Sequence, residues 1–424
     1  MDKLIINGGT PLHGSIRISG AKNASLPILA ATLLTESSCS IKNVPDVSDT
    51  NYMVQILNSL GVSIERYSGT VITEAKTIQS AAPYELVSKM RASICMMGPL
   101  LARTGKAIIS MPGGCVIGTR PIDLHLKGLK ALGATITQDG GNLTLEAKNG
   151  LIGCEIDLRG KSGPTVLGTA NIMMAATLAQ GTTIIESAAR EPEIEDLADF
   201  LINMGAKITG QGTRVITIEG VTSLHGAHHE VIPDRIEAAT YMMAGLITGG
   251  EITLKNICRP HLKTIEEKIQ QIGHYISYNA DETQVTVSPT SNPQGCEIIT
   301  DPYPSFPTDA QAQFTSLLAL TPGISVIEDM IFPERFMHCA ELNRMGAKIE
   351  VDRGKAIVHG VTQLTGAPVM ASDLRASAAL VLAGLAAKGT TQVNRLYHID
   401  RGYEHIDTKL QDLGADLKRV PNSI

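Results

Sequence analysis

The sequence predicts a two-domain α/β protein in which each domain is an inside-out α/β barrel of three similar helix–strand–helix–hairpin units. Three observations lead to this prediction. At 424 residues the chain exceeds what one hydrophobic core usually serves. A short glycine-containing tag recurs six times, and an apolar helix precedes each copy. Because those helices are apolar nearly all round, we expect them to be buried inside each domain, with the sheets outside.

The recurring tag marks the end of a helix and the start of a hairpin. Its copies are LGVSI, LGATI, MGAKI, IGHYI, MGAKI and LGADL, whose glycines are Gly61, Gly133, Gly205, Gly273, Gly346 and Gly414. The spacings of 72, 72, 68, 73 and 68 residues are too regular for chance. Glycine commonly stands just beyond a helix C-terminus, and stretches such as AKITGQGTRVITIEG alternate as hairpins do.

An apolar helix rich in small residues lies upstream of each tag. The six stretches are NASLPILAATLL, RASICMMGPLLA, TANIMMAATLA, RIEAATYMMAGLI, AQAQFTSLLAL and RASAALVLAGLAA. A strand follows each of them, and then a more polar helix leads to the next tag.

The predicted domain boundary lies between the third hairpin and the fourth apolar helix, in VTSLHGAHHEVIP. Residues 22–229 would form one domain, and residues 1–21 with 230–424 the other. Since no low-complexity linker is present, we expect short crossings and an opening strand that pairs within the C-terminal half.

Composition narrows the functional classes. Tryptophan is absent, aromatic residues make up 3% and the net charge is −6, which argues against nucleic-acid and membrane-surface partners. Seven cysteines without C-x-x-C spacing indicate free thiols in a reducing compartment. The N-terminus lacks a signal peptide, and ASAALVLAGLAA is too short to span a bilayer, so a cytoplasmic location is expected.

The stretch MPGGCVIGTRPIDLH, residues 111–125, is the first candidate site. Gly113 and Gly114 precede Cys115 and give the backbone freedom to approach a ligand. Arg120 would favour the thiolate and could hold a phosphate or carboxylate. A lid carrying a nucleophile or acid and a surface turn with a buried, inert cysteine both fit this pattern.

Charged and polar residues also stand at the starts of otherwise apolar helices. Helix N-termini attract anions, so a lysine or arginine there predicts a phosphate or carboxylate site. Aspartate at such a position is more often a helix cap, and the local pattern favours capping for Asp309 and Asp373. The residues concerned are Lys22, Asn23, Arg91, Asp309, Asp373 and Arg375.

Two other motifs are rejected. GKSG at residues 160–163 lacks the glycine-rich cradle of a P-loop, since Glu155 stands where its first glycine is needed. His228, His229 and Glu230 could bind a metal, but their adjacent spacing favours a solvated loop. No metal and no cofactor are therefore expected.

Several motifs together resemble the UDP-N-acetylglucosamine 1-carboxyvinyltransferase family of enolpyruvyl transferases. They are SGAKNA, the Cys115 loop, AAREPEIEDL, PTDAQAQF, ERFMH, ASDLRAS and YHIDRGYE, which cover essentially the whole chain. The resemblance implies a two-domain fold of six repeats with the active site in the cleft between the halves. It also implies transfer of the enolpyruvyl group of phosphoenolpyruvate to the 3′-hydroxyl of UDP-N-acetylglucosamine through a tetrahedral ketal. This reaction releases phosphate and is the first committed step of peptidoglycan synthesis, on which the cell wall, cell shape and cell division depend.

The resemblance also assigns roles to residues of this sequence. Cys115 matches a proton donor that can form a covalent adduct with phosphoenolpyruvate and that fosfomycin alkylates, and Asp309 matches a carboxylate near the attacking hydroxyl. Asp373 and Arg375 are expected to support the site. The implied catalytic residues are Cys115, Asp309, Lys22 and Arg401, and those implied to bind phosphoenolpyruvate are Lys22, Asn23, Arg120 and Arg401. The residues implied to bind the nucleotide sugar are Asn23, Arg91, Arg120, Pro121, Ile122, Asp123, Leu124, Thr165, Val166, Asp309 and Ile331.

Two alternatives remain at this stage. The first is 3-phosphoshikimate enolpyruvyl transfer, which is disfavoured because the Cys115 loop belongs to the nucleotide-sugar branch. The second is a non-catalytic nucleotide-sugar sensor, which would not need Cys115, Lys22 and Arg401 together. The expected partners are small-molecule substrates.

Overall fold

The computed structural model describes residues 2–111 and 121–421. Within them the chain divides into two compact units. Residues 2–19 and 233–421 form one, which we call the terminal unit. Residues 20–111 and 121–232 form the other, which we call the central unit. Each unit has its own hydrophobic core.

The helices are of two kinds, a buried inner set and a more polar outer set. The inner set corresponds to the six apolar stretches of the sequence; in α8, for example, every residue from Ile236 to Ile247 is buried. The α-helices are α1 (Lys22–Ala31), α2 (Ser48–Ser59), α3 (Tyr84–Val87), α4 (Met97–Thr104), α5 (Asp123–Ala131), α6 (Val166–Ala176), α7 (Pro192–Asn203), α8 (Arg235–Ile247), α9 (Lys263–Ile272), α10 (Thr308–Ala319), α11 (Met337–Arg344), α12 (Leu374–Ala386) and α13 (Ile406–Asp412). The 3₁₀ turns are η1 (Thr32–Leu34), η2 (Arg91–Met96), η3 (Arg259–Leu262) and η4 (Leu396–Arg401).

The strands form small sheets whose residues alternate between buried and more exposed positions, as expected when one face packs on a core. They are β1 (Lys3–Asn7), β2 (Gly14–Arg17), β3 (Cys39–Lys42), β4 (Ser63–Tyr67), β5 (Thr70–Glu74), β6 (Lys106–Ser110), β7 (Thr135–Asp139), β8 (Asn142–Glu146), β9 (Glu155–Asp157), β10 (Arg159–Gly160), β11 (Gly163–Pro164), β12 (Thr182–Glu186), β13 (Lys207–Thr209), β14 (Val215–Glu219), β15 (His228–Glu230), β16 (Ile252–Lys255), β17 (Tyr275–Tyr278), β18 (Gln284–Ser288), β19 (Glu297–Thr300), β20 (Ile324–Asp329), β21 (Lys348–Asp352), β22 (Lys355–His359), β23 (Pro368–Met370), β24 (Thr390–Asn394) and β25 (Asp416–Val420).

The predicted inside-out α/β architecture of six similar units is confirmed. The central unit has inner helices α1, α4 and α6, with sheets ordered β15-β3-β5-β4, β6-β8-β7 and β13-β14-β12-β9. The terminal unit has inner helices α8, α10 and α12, with sheets ordered β17-β18-β16-β2, β19-β20-β22-β21 and β23-β24-β1-β25. The three-stranded sheet has a parallel bridge from Ala81 to Ile108 of β6, where the other sheets have a parallel strand.

The six tag glycines adopt the left-handed conformation that the sequence pattern predicts. Their φ angles lie between 94° and 105°. A side chain is strained at such a φ, and glycine is not, which is why the tag keeps glycine at the end of every outer helix.

The N-terminal strand lies inside the sixth sheet, and this confirms the prediction that it pairs with the C-terminal half. β1 runs antiparallel to both β24 and β25, with Leu4 opposite Val393 on one side and Arg419 on the other. The sixth hairpin is therefore completed by residues from the beginning of the chain.

The prediction of a solvated loop at residues 228–230 is wrong. These residues form β15, which pairs in parallel with β3. His229 Nε2 lies 2.8 Å from Asp196 Oδ1, and the His229 side chain is only 8% exposed. The histidine is held by a carboxylate and a strand partner from distant parts of the chain, which local spacing could not reveal.

No helix in the described ranges is long and apolar enough to cross a membrane. The most apolar stretch, ASAALVLAGLAA, lies largely in α12, at the centre of the terminal unit.

Candidate active site

In the central unit, Lys22 is the first residue of α1, and a buried carboxylate holds it. Lys22 Nζ lies 3.3 Å from Oδ2 of Asp49, which belongs to the first turn of α2. The two side chains are 11% and 1% exposed. Asn23 follows Lys22 and is half-buried. A cation thus stands at a helix N-terminus, the arrangement that favours a phosphate or carboxylate ligand.

The other predicted ligand-binding residues of the central unit also lie at helix starts. Arg91 begins η2, and Asp123 begins α5. Thr165 caps α6, because its hydroxyl accepts a hydrogen bond from the amide of Gly168 at 3.2 Å, and Val166 is the first residue of that helix. Pro121, Ile122 and Leu124 surround the start of α5, and only Ile122 among them is buried.

A buried amide ties these helix starts together. The side chain of Asn171 in α6 accepts a hydrogen bond from the amide of Gly98 at 2.8 Å and donates one to the carbonyl of Ile94 at 2.8 Å. Its Nδ2 also lies 2.9 Å from Nδ1 of His125, in α5. Because the amide nitrogen of asparagine can only donate, Nδ1 of His125 accepts this hydrogen bond. The elements that carry Arg91, residues 123–124 and residues 165–166 are therefore locked to one another.

In the terminal unit, Asp309 lies in the first turn of α10 but does not cap it. The cap position is occupied by Pro307, and the helix has no side-chain cap. Asp309 Oδ1 instead accepts a hydrogen bond from Arg335 Nη1 at 2.8 Å, and Oδ2 accepts one from Arg375 Nη2 at 3.1 Å. Capping, which the local pattern favoured for Asp309, is therefore wrong.

For Asp373, in contrast, the prediction of a helix cap is confirmed. Its Oδ1 accepts hydrogen bonds from the amides of Arg375 at 2.9 Å and Ala376 at 3.1 Å, so it caps α12. The difference arises because Asp373 directly precedes its helix, whereas Asp309 lies inside one and faces two arginines.

Arg375 is a permanent cation in the interior of the terminal unit. Its residue is 2% exposed, and Nη1 donates a hydrogen bond to the hydroxyl of Tyr403 at 3.1 Å. Burial is the largest single influence and works to lower the pKa of Arg375, but Asp309, Tyr403 and Asp234 together hold that pKa above its ordinary value. Burial also raises the pKa of Tyr403, so the phenol stays neutral. Its oxygen further contacts Thr240 at 2.8 Å and Gln313 at 3.1 Å.

Two predicted residues of the terminal unit lie outside its α-helices and strands. Ile331 follows β20, and its amide donates a hydrogen bond to Asp329 Oδ1 at 3.0 Å. Arg401 is the last residue of η4 and is half-buried.

The predicted set is divided between the units. Residues 22, 23, 91, 121–124, 165 and 166 belong to the central unit, and residues 309, 331 and 401 to the terminal unit. Cys115 and Arg120 lie outside the described residues. Sequence reasoning assigned no role to Asp49, Arg335 or Tyr403, although ERFMH and YHIDRGYE contain the last two. No pattern within those motifs reveals which distant side chain each would contact.

Five of the six thiols that the structure describes, all except Cys258, are poorly suited to nucleophilic chemistry. Burial raises the pKa of Cys95 and Cys339 to about 12 and that of Cys296 to about 11. Burial also raises the pKa of Cys39 and Cys154. A thiol reacts as its thiolate, so these groups are largely unreactive near neutral pH. Among the described residues, no cluster of three or more histidine, cysteine, aspartate or glutamate side chains could hold a metal ion.

Comparison with known proteins covers nearly the whole chain. Residues 6–410 match the family model described as EPSP synthase (3-phosphoshikimate 1-carboxyvinyltransferase). The chain is 58% identical to UDP-N-acetylglucosamine 1-carboxyvinyltransferase of Akkermansia muciniphila, over 100% of this chain and 99% of the relative. It is 53% identical to the enzyme of the same name from Methylacidiphilum infernorum, over 100% of both chains.

Solved structures agree on the fold. The enolpyruvyl transferase NikO from Streptomyces tendae superimposes with a TM-score of 0.89 at 26% identity, over 99% of this chain and 98% of that one. EPSP synthase from Acinetobacter baumannii gives a TM-score of 0.77 at 19% identity, over 99% of this chain and 100% of that one, and this likeness concerns the fold alone.

Proposed function

The chain belongs to the EPSP synthase family and, within it, to the UDP-N-acetylglucosamine 1-carboxyvinyltransferases, and from this premise we propose the reaction that it catalyses. It transfers the enolpyruvyl group of phosphoenolpyruvate to the 3′-hydroxyl of UDP-N-acetylglucosamine and releases phosphate. The observation that carries this proposal is the 58% identity, over the full length, to a relative bearing that name. In a bacterium this step commits the nucleotide sugar to peptidoglycan synthesis.

The reaction is an addition followed by an elimination. The methylene carbon of phosphoenolpyruvate gains a proton while the sugar oxygen bonds to the adjacent carbon, which gives a tetrahedral ketal. Loss of phosphate and of one proton from the methyl group then restores the double bond in the product. The site must therefore supply an acid, a group that manages the hydroxyl proton, and cations for the phosphate and carboxylate.

Lys22, Arg120 and Arg401 are the proposed cations for phosphoenolpyruvate. The ion pair with Asp49 supports this role for Lys22, because a buried carboxylate 3.3 Å away fixes the position of the ammonium at the start of α1. Asn23 follows in the first turn of the same helix. A fixed cation beside helix amides binds an anion with little reorganisation.

Asp309 is the proposed partner of the 3′-hydroxyl. Each of its oxygens accepts a hydrogen bond from a different guanidinium, so the plane of the carboxylate is fixed. Its side chain nevertheless remains 29% exposed, which leaves it accessible to a substrate. This geometry favours a residue that orients the hydroxyl and manages its proton.

Cys115 is the proposed proton donor to the methylene carbon, with Arg120 beside it in sequence. The assignment is supported by the family resemblance of the loop and by the unreactive character of the buried thiols. The nucleotide sugar would be held by Asn23, Arg91, residues 120–124, Thr165, Val166, Asp309 and Ile331. This set is divided between the two units.

A phosphate-release assay tests the reaction and the acceptor. The protein is incubated with phosphoenolpyruvate and either UDP-N-acetylglucosamine or shikimate 3-phosphate. Release with the nucleotide sugar alone is expected. Release with shikimate 3-phosphate alone would replace the proposal with the activity that the family model describes. Calorimetric binding of the nucleotide sugar without release would indicate a sensor.

Alkylation tests the thiol. Fosfomycin should modify Cys115 and abolish turnover, and peptide mass spectrometry identifies the labelled residue. Cys115→Ala should be nearly inactive, whereas Cys115→Asp should retain some turnover and resist the reagent, since a carboxylic acid also donates a proton. Cys154→Ala is the matched control, because Cys154 Sγ contacts only the Ala131 carbonyl at 3.2 Å among its hydrogen bonds in the structure. Labelling of another cysteine, with Cys115 intact in the inactivated protein, would refute the assignment.

A further inference from the structure

Asp329, at the end of β20, is a buried carboxylate that four hydrogen bonds surround. It is 1% exposed. Oδ1 accepts from the amides of Ile331 at 3.0 Å and Phe332 at 2.8 Å and from the hydroxyl of Thr300 at 2.8 Å. Oδ2 accepts from the hydroxyl of Thr308 at 2.7 Å. A buried charge is costly unless it is fully hydrogen-bonded, and here both oxygens are engaged.

The hydrogen bond from Thr308 to Asp329 determines which atom donates in the contact between Thr308 and Arg335. Because the Thr308 hydroxyl donates its only hydrogen to Asp329, its oxygen can only accept from Arg335 Nη1, which lies 3.1 Å away. The same Nη1 donates to Asp309 Oδ1 at 2.8 Å. A continuous chain of hydrogen bonds therefore runs from Asp329 through Thr308 and Arg335 to Asp309.

The hydrogen-bond chain requires a carboxylate, and not an amide, at residue 329. An asparagine at residue 329 could still accept the two turn amides through its oxygen, but its NH₂ group would face Thr308 as a donor. The Thr308 hydroxyl would then meet N–H groups from both residue 329 and Arg335 and would have no carboxylate to donate to. Only a carboxylate accepts on both sides.

We propose that Asp329 and Thr308 are positioning residues that orient the Asp309 carboxylate through Arg335. This inference rests on the proposed function, in which Asp309 handles the 3′-hydroxyl and Ile331 contacts the nucleotide sugar. The turn that carries Ile331 and the carboxylate that receives the hydroxyl share one buried anchor. Asp329 thus couples two events: one of its oxygens holds the turn that contacts the sugar, and the other acts through Thr308 and Arg335 on the carboxylate that aligns the sugar hydroxyl.

Thr308→Val tests the proposal, because valine keeps the shape of threonine and removes the hydroxyl. We expect kcat to fall about 10- to 100-fold, the range that a misplacement of about 1 Å produces. KM for UDP-N-acetylglucosamine should change little, since the bonds from Asp329 to the Ile331 turn remain. Thr308→Ser restores a hydroxyl and should recover most of kcat.

Thr315→Val is the matched control on the same helix. The Thr315 hydroxyl donates to the carbonyl of Gln311 at 2.9 Å, within α10 itself. The substitution removes the same atoms from the same helix without breaking the chain to Asp309, so kcat should stay near that of the wild type. A loss in Thr315→Val equal to that in Thr308→Val would mean that helix packing, not the hydrogen-bond chain, is responsible.

Asp329→Asn and a double-mutant cycle complete the experiment. Asp329→Asn should lower kcat about as much as Thr308→Val, and the double variant should be no worse than either, because both break the same chain. Wild-type kcat in Thr308→Val, equal loss in Thr308→Val and Thr308→Ser, or additive losses in the double variant would overturn the inference. Failure of the proposed function would look different, since the wild-type protein itself would then release no phosphate with UDP-N-acetylglucosamine.

Discussion

Asp309→Asn should lower both activity and stability, and the reason lies in the two arginines. In the wild type each carboxylate oxygen accepts from a guanidinium, at 2.8 Å from Arg335 and 3.1 Å from Arg375. Asparagine keeps one acceptor and turns an NH₂ group toward the other arginine, so donor faces donor. The change also removes the charge that offsets Arg375, which is 2% exposed.

The expected magnitude follows from burial. Removing one partner of a fully buried ion pair costs about 3–5 kcal/mol. The Asp309 side chain is 29% exposed, so water can replace part of the lost interaction, and we expect about 1–3 kcal/mol. For a domain of about 200 residues this lowers Tm by roughly 3–10 °C. If Asp309 also handles the hydroxyl proton, kcat should fall by roughly two to four orders of magnitude.

Thermal melts followed by circular dichroism and the phosphate-release assay measure the two effects separately. Asp373→Asn is the control for stability, because asparagine caps a helix about as well as aspartate and the bonds to the amides of Arg375 and Ala376 can persist. Its Tm should remain close to that of the wild type. Refutation would be an Asp309→Asn protein that melts with the wild type, as a simple cap would, or one that turns over at the wild-type rate.

Three further predictions concern other side chains of the two units. Tyr403→Phe removes the buried hydroxyl that accepts a hydrogen bond from Arg375. It should lower the free energy of unfolding, measured by urea denaturation, by about 1–3 kcal/mol, and it should lower kcat more than it changes KM. An unchanged free energy of unfolding would contradict this prediction. Asp49→Asn should raise KM for phosphoenolpyruvate roughly tenfold, the equivalent of about 1.4 kcal/mol, because Lys22 loses its charged anchor; initial-rate kinetics with unaltered KM would count against the proposed cation site. Burial lowers the pKa of His338 from 6.5 to about 4, so the unfolded chain binds the extra proton between these values. The contribution of His338 to stability should therefore fall as pH drops from 6.5 toward 4, by up to about 3 kcal/mol. Burial also lowers the pKa of His274 to about 4, so His338→Asn should reduce the pH dependence of denaturation curves across that range without abolishing it.

The fold can be predicted well from the sequence because each repeat is recognisable from short stretches of consecutive residues. Two features need no tertiary information and recur six times: a helix that is apolar on all sides, and a glycine that ends the more polar helix after it. The cap at Asp373 is equally local, since its partners are two and three residues away. Each of these features depends on neighbours within one turn of the chain.

The arrangement of the site is less accessible because its contacts are distant in sequence. Asp309 pairs with Arg335, 26 positions away, and with Arg375, 66 positions away. Asp49 lies 27 positions from Lys22. In each case the residue type indicates a charge that needs a partner, but no periodicity identifies which one. The strand at residues 228–230 was not predicted for the same reason: its hydrogen-bonding partner is β3, which is distant in sequence.

The position of β1 between β24 and β25 also determines when the terminal unit can be completed during synthesis on the ribosome. β1 leaves the ribosome before the other described strands and helices, yet both of its neighbours lie beyond residue 389 and are made after the whole central unit. The described residues of the central unit, by contrast, all lie between residues 20 and 232, so none of its strands has to wait for the far end of the chain. Until β24 and β25 have been made, β1 has two unpaired edges, which invite pairing with other chains. A chain that terminates before β24 would keep those edges permanently, so premature termination is expected to yield aggregation rather than a shorter folded protein.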